Sequence, residues 1–148
     1  MSASSERDIN ALIALIEARS AKPFDWRGRR DCVAFAAMAV AAQSGVDVLG
    51  DLKWRTRREG RALLEAEGGL LAAVDKRLAR VPVAMAMRGD IGAVAAGPRD
   101  VSSIRLVVIE GAMVVSPGTS GLQRQPRADL LWAWDAMSAI NHGGVQHG

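Results

Sequence analysis

Trp26-Arg27-Gly28-Arg29-Arg30-Asp31-Cys32-Val33-Ala34-Phe35 contains the only cysteine of the chain. A loop rich in Gly and Arg runs into Asp31, a residue suited to cap a helix, and Cys32 then stands at the helix start. The residues that follow, Val33, Phe35, Ala36, Met38, Ala39 and Val40, are almost wholly small and apolar. A helix apolar all round is a buried helix, and Gly45 is placed to end it. A thiol at a helix N-terminus feels the positive end of the macrodipole, which favours the nucleophilic thiolate. The plainer reading is a small buried hydrophobe in an Ala-rich helix. A nucleophile of this kind needs a base, and the chain has only two histidines, His142 and His147, both near the C-terminus.

Upstream, Ile9, Leu12, Ile13 and Ile16 recur at helical spacing and predict a first helix with one apolar face. Ser4 or Ser5 can cap it, with Asp8 three residues after Ser5, and Lys22-Pro23 ends it. Downstream, two helical stretches are predicted over 59–67 and 70–78, divided by Gly68-Gly69. The character then turns to β. Val81, Val83, Met85 and Met87 alternate, and Pro82 makes that segment an edge strand. Strands are expected over 91–95 and 105–109. Glu110-Gly111 has turn composition and leads into Ala112–Val115, predicting a hairpin. Further short strands are expected over 122–125 and 130–134, the latter with a helical turn as the alternative. Helices first and antiparallel strands second predict an α+β fold with the helices packed on a small sheet. One domain over 1–140 is expected, with a loose Gly-rich tail over 141–148.

The 148 residues, 49% of them hydrophobic, suffice for one real core and are too few for two comfortable ones. A net charge of +3 permits an acidic partner without demanding one. A single cysteine excludes an internal disulfide and any multi-cysteine metal site. No apolar run approaches the roughly 18 residues of a membrane span. The polar N-terminus has acids where a signal peptide has bases, so synthesis and folding in the cytoplasm are expected. No phosphate loop, zinc spacing or dinucleotide fingerprint is present, and neither a cofactor nor a metal is expected. The runs Arg27-Gly28-Arg29-Arg30 and Lys53-Trp54-Arg55-Thr56-Arg57-Arg58 admit a nucleic-acid reading, with Trp54 as a stacking aromatic. Acids interspersed at Asp25, Asp31, Asp47, Asp51 and Glu59 favour a solvated face instead. Trp54 could equally anchor a protein interface. Trp132 and Trp134, two apart, would share one face of a strand.

The order of pieces resembles the NlpC/p60 superfamily, the papain-like peptidoglycan endopeptidases. Trp26…Asp31-Cys32-Val33-Ala34-Phe35 stands where that superfamily has a Trp/Gly loop and Asp-Cys opening a helix. Arg88-Gly89-Asp90-Ile91 stands at its Gly-Asp strand, and Ser103-Ile104-Arg105-Leu106-Val107-Val108 at its His-containing strand. Gly121-Leu122, Pro126 and Ala133-Trp134 are similar to a branch of small tail-associated proteins of phages, prophages and gene transfer agents. The resemblance, covering residues 24–135, implies a papain-like, NlpC-type fold and a place at the tail tip of a virion, beside other hub proteins. It makes Cys32 the nucleophile, puts Trp26 and Asp31 beside it, and drops the catalytic His onto Ser103, or Ser102 if the register slips by one. A serine cannot act as general base near neutral pH. The expectation is therefore a catalytically degenerate, structural tail-tip component. The alternatives are an active cysteine endopeptidase or amidase on peptidoglycan, with His142 reaching back from the tail or another unconventional base, and a small basic nucleic-acid-binding module.

Overall fold

The computed structural model describes residues 6–22, 31–50, 52–97 and 102–142. Within them the chain forms helices α1 (Ile9–Arg19), α2 (Cys32–Ser44), α3 (Arg57–Glu67) and α4 (Leu70–Asp75). Strands β1 (Ile91–Ala95), β2 (Ile104–Ile109), β3 (Met113–Gly118), β4 (Gly121–Pro126) and β5 (Trp132–Trp134) follow, with a last short helix α5 (Ala139–His142). The strands make one five-stranded sheet in the order β4-β3-β2-β1-β5, antiparallel throughout. The fold is α+β, with the helices segregated to one face of the sheet.

Two-residue alternation along each strand explains why both faces of the sheet are dry. Ile91 and Ala93 of β1, Leu106 and Val108 of β2, Val115 of β3 and Trp134 of β5 face the helix layer and join Phe35, Ala39 and Val40 of α2 in the main core. Their neighbours Val94, Val107, Ile109, Val114 and Ala133 face the other way, where Ala86 and Leu130 cover them. Gly92 of β1 allows that cover, because a Cβ there would overlap the Leu130 side chain. The buried helix α2 lies across β2 and β3 and is flanked by α1. The end of α1 is tied to the sheet, since the Leu122 amide donates to the Ser20 carbonyl at 3.2 Å. A Cβ at Gly121, which has φ +136°, would overlap that same carbonyl.

Three expectations need correction. The alternating segment Val81–Met87 is not an edge strand. It makes a single bridge, Arg80 to Trp134, and then turns as a 3-10 helix over Val83–Met85. Pro82 precedes the turn, and the Val81 amide, donating to Ala133 at 3.0 Å, closes the β5 edge. The fourth helix ends at Asp75, and the Leu78 amide bonds back to Val74 beyond it. Asp8 is itself the cap of α1, accepting from the Ala11 amide at 2.9 Å, and so is not the third residue of a box capped by Ser5. The segments at 91–95, 105–109 and 122–125 lie within one position of the prediction, the strand expected over 112–115 runs on three residues to Gly118, and 130–134 resolves to the short strand β5.

Candidate functional site

Asp31 and Cys32 open α2 as the sequence predicts. Asp31 has extended backbone (φ −85°, ψ 172°) and its Oδ1 accepts from the Ala34 amide at 3.0 Å, so Cys32 is the first helical residue. What the sequence did not show is the partner of the second carboxylate oxygen. The Trp54 indole N–H donates to Asp31 Oδ2 at 3.0 Å. Trp54 is buried, and Asp31 has no exposed surface at all. Burial pushes the Asp31 carboxyl above the usual aspartate range, and the Ala34 and Trp54 donors pull it only partly back. With both oxygens engaged inside the protein, Asp31 is a fastener between α2 and the 52–56 segment.

Cys32 is 6% exposed and belongs to the main apolar cluster. That is the environment of a packing thiol more than of a nucleophile, which has to be reached by its substrate. The loop carrying Trp26 lies outside the described residues. Ser103 is exposed just before β2, and its carbonyl accepts from the Ala96 amide at 3.1 Å. Ser102 is half-buried, and its Oγ accepts from the Ile104 amide at 3.4 Å. The face of β2 turned to α2 consists of Ile104, Leu106 and Val108, all apolar. It offers no group that titrates near neutral pH. His142 closes the backbone of α5, and His147 lies outside the described residues.

Gly89-Asp90 is brought to the other end of α2. Gln43, one residue before the last of α2, donates to the Gly89 carbonyl at 2.8 Å and accepts from Arg7 Nη1 at 3.2 Å. Asp90, 2% exposed, takes Arg7 Nη2 at 2.8 Å and the Ala136 amide at 3.1 Å on Oδ1, and the Met87 amide at 2.9 Å on Oδ2. The Gly89 amide donates to Ile109 at 2.7 Å and the Ile109 amide to Asp90 at 2.9 Å. Gly89 sits at φ +94°, and a Cβ would overlap Gln43 Oε1. Cys32 and Gln43, eleven positions apart on α2, are separated by about 16 Å along the helix axis. Asp90 therefore clamps the N-terminal segment, α2 and the sheet together, and it neither orients nor charges anything at Cys32.

The aromatic candidates also settle differently from one another. Trp54 is an internal hydrogen-bonding residue and not an exposed anchor, so it offers no face for stacking a base. Lys53, Arg55, Arg57 and Arg58 around it are exposed. Trp132 and Trp134 do share a face: the Arg80 guanidinium lies 4.4 Å from the Trp132 ring centre and 5.7 Å from that of Trp134. Arg80 is held there by two bonds to Asp75, whose Oδ1 also accepts from the Trp134 indole at 2.8 Å. Among the described residues no group of three or more His, Cys, Asp or Glu could hold a metal ion. No described helix is long and apolar enough to cross a membrane. Arg7 is the residue that sequence reasoning missed most plainly, for nothing in a polar N-terminus marks one Arg as the partner of a carboxylate 83 positions away.

No curated protein and no solved structure matches the chain. A family model described as a domain of unknown function (DUF6950) matches residues 6–136, most of the sequence, and the chain belongs to that family.

Proposed function

We propose that this protein is a non-catalytic structural component of a phage-like tail tip, built on a papain-like, NlpC-type scaffold whose hydrolytic site has been closed. The single observation that carries the reading is the state of Cys32: at the head of α2, where a papain-like enzyme places its nucleophile, but buried in the core beside a sealed Asp31–Trp54 pair. The apolar face of β2 toward α2 agrees with it, and the positions at which the resemblance would put a base, Ser103 or Ser102, carry hydroxyls that do not titrate near neutral pH. An assembly protein also needs a surface to be held by. The exposed large apolar side chains among the described residues are Met85, Met87, Met113, Leu131 and Trp132. Arg127 ties their segments together, its guanidinium donating to the Val83 and Ala86 carbonyls and its amide to Ala112 at 3.0 Å. Met, Trp and Arg are the residue types enriched where proteins dock.

Two measurements test the reading. Purified protein incubated with peptidoglycan fragments should release no new amino or carboxyl termini, and Cys32→Ala should behave identically. Cleavage that disappears in Cys32→Ala would establish the active cysteine endopeptidase or amidase instead. Mass spectrometry of purified particles from a strain carrying the gene should find the chain in stoichiometric amounts, and its absence from them would remove the tail-tip assignment.

A further inference from the structure

Between α2, α3 and α4 lies an apolar cavity of about 80 Å³, walled by Ala36 and Ala37, Gly60, Ala73 and the Trp54 ring. Small residues on three helices leave this space. Three lining side chains carry polar groups, and all three spend them inside the protein. The Trp54 N–H donates to Asp31 at 3.0 Å. Arg77 pairs with Glu67 and donates to the Val48 carbonyl at 3.0 Å and the Ala73 carbonyl at 2.8 Å. Arg77 and Glu67 therefore offer the cavity their carbon stems and keep their charges for each other. Every other lining residue is aliphatic or glycine.

The outer wall is the one that can yield. Gly60 is the one buried residue of α3, which packs chiefly on α4 through a joint at Gly68 and Gly69, both at positive φ (94° and 105°). Leu49, Leu52, Leu63 and Leu64 line the same space and are only half-buried, so the approach to it is apolar as well. A cavity without polar groups to hold it excludes water, and an engineered one of about 150 Å³ stays dry and takes benzene. Half that volume suits a guest of a few carbon atoms. A charged guest would give up its hydration and find no free partner inside, whereas a neutral aliphatic one gains by leaving water. We propose that this cavity is a binding site for a small neutral aliphatic molecule, admitted between α3 and the side chains of Leu49 and Leu52. Cys32 does not line it, so the site stands apart from the closed hydrolase scaffold.

Methyl NMR of the whole chain, with labelled alanines and under rising pressure of n-butane, tests it. Saturable shifts that fit one site are expected at Ala36, Ala37 and Ala73. Butylammonium and butyrate, the same carbon chain with a charge of either sign, should bind at least about tenfold more weakly. Ala37→Leu and, as a milder filling, Ala73→Val should weaken n-butane by about tenfold or more in chains that still melt cooperatively. No saturation by n-butane overturns the proposal on the wild-type chain alone, and so do saturable shifts centred away from these alanines. Equal binding of either ion, or undiminished n-butane binding in a folded filling variant, overturns it as well.

Discussion

At the scale of single residues, the chemistry of this protein turns on two aspartates that are buried for structural reasons. Asp31 caps α2 and receives the Trp54 indole. Removing its side chain deletes the cap and strands a buried N–H, so Asp31→Ala should cost about 2–4 kcal/mol in urea unfolding. Asp31→Asn keeps an acceptor and removes the buried charge. Because burial raises the Asp31 carboxyl, the folded state holds that proton more tightly than the unfolded chain. Stability contributed by protonated Asp31 is present below the usual aspartate range and lost as pH rises through the raised value. The Asn variant should therefore gain on the wild type as pH rises from about 4 toward 7, and a constant difference in urea midpoint would contradict the account. Glu67, Asp75 and Glu110 run the other way. Hydrogen bonds from Arg77, Arg80 and Arg124 hold their carboxyls below the usual range, so their support is present at neutral pH and lost on acidification. Asp90 is buried with Arg7, and breaking such a pair from one side leaves the other charge uncompensated. Arg7→Met should cost about 3–5 kcal/mol, whereas exposed Arg58→Ala should change stability by less than about 0.5 kcal/mol.

At the scale of elements, the parts that were legible in the sequence are those whose pattern and environment agree. The small apolar run after Cys32 could only be a buried helix, and the β-branched run at 105–109 is a central strand covered on both faces. Val81–Met87 misled because its alternation is real but serves a different end. Val81 and Val83 lean on the second core while Met85 and Met87 point to solvent, and the backbone between them curls into a 3-10 turn. Trp54 was misplaced because its neighbours are all basic. Adjacent residues of an extended segment point to opposite sides, so exposed Lys53 and Arg55 say little about the ring between them. The Arg7–Asp90–Gln43 clamp joins three distant segments, and no local pattern encodes such a meeting. Hydrogen exchange should rank the elements accordingly. Amides of α2 and β2 should exchange slowest, at the global unfolding free energy, and those of α3 should be the fastest among the three long helices α1, α2 and α3. An α3 as protected as α2 would mean that it is docked far more firmly than Leu63 and Leu64 suggest.

At the scale of the whole molecule, α2 works as an axle. Its first turn carries Cys32 and the Asp31–Trp54 fastener, and its last turn carries Gln43 and the Asp90 clamp, about 16 Å away. The two short motifs that suggest a peptidase thus sit at opposite ends of one buried helix and act as closures of the fold. The exposed large apolar side chains among the described residues, Met85, Met87, Met113, Leu131 and Trp132, lie outside both cores. The central claim is that Cys32 is sealed, and the most direct test is its alkylation by iodoacetamide in the folded protein between pH 6 and 9, with the same chain in denaturing urea as reference. The account predicts labelling far slower in the folded protein at every pH, rising only as the fold opens. Rapid labelling of the folded protein at pH 6, faster than the unfolded reference, would contradict it and restore Cys32 as a nucleophile.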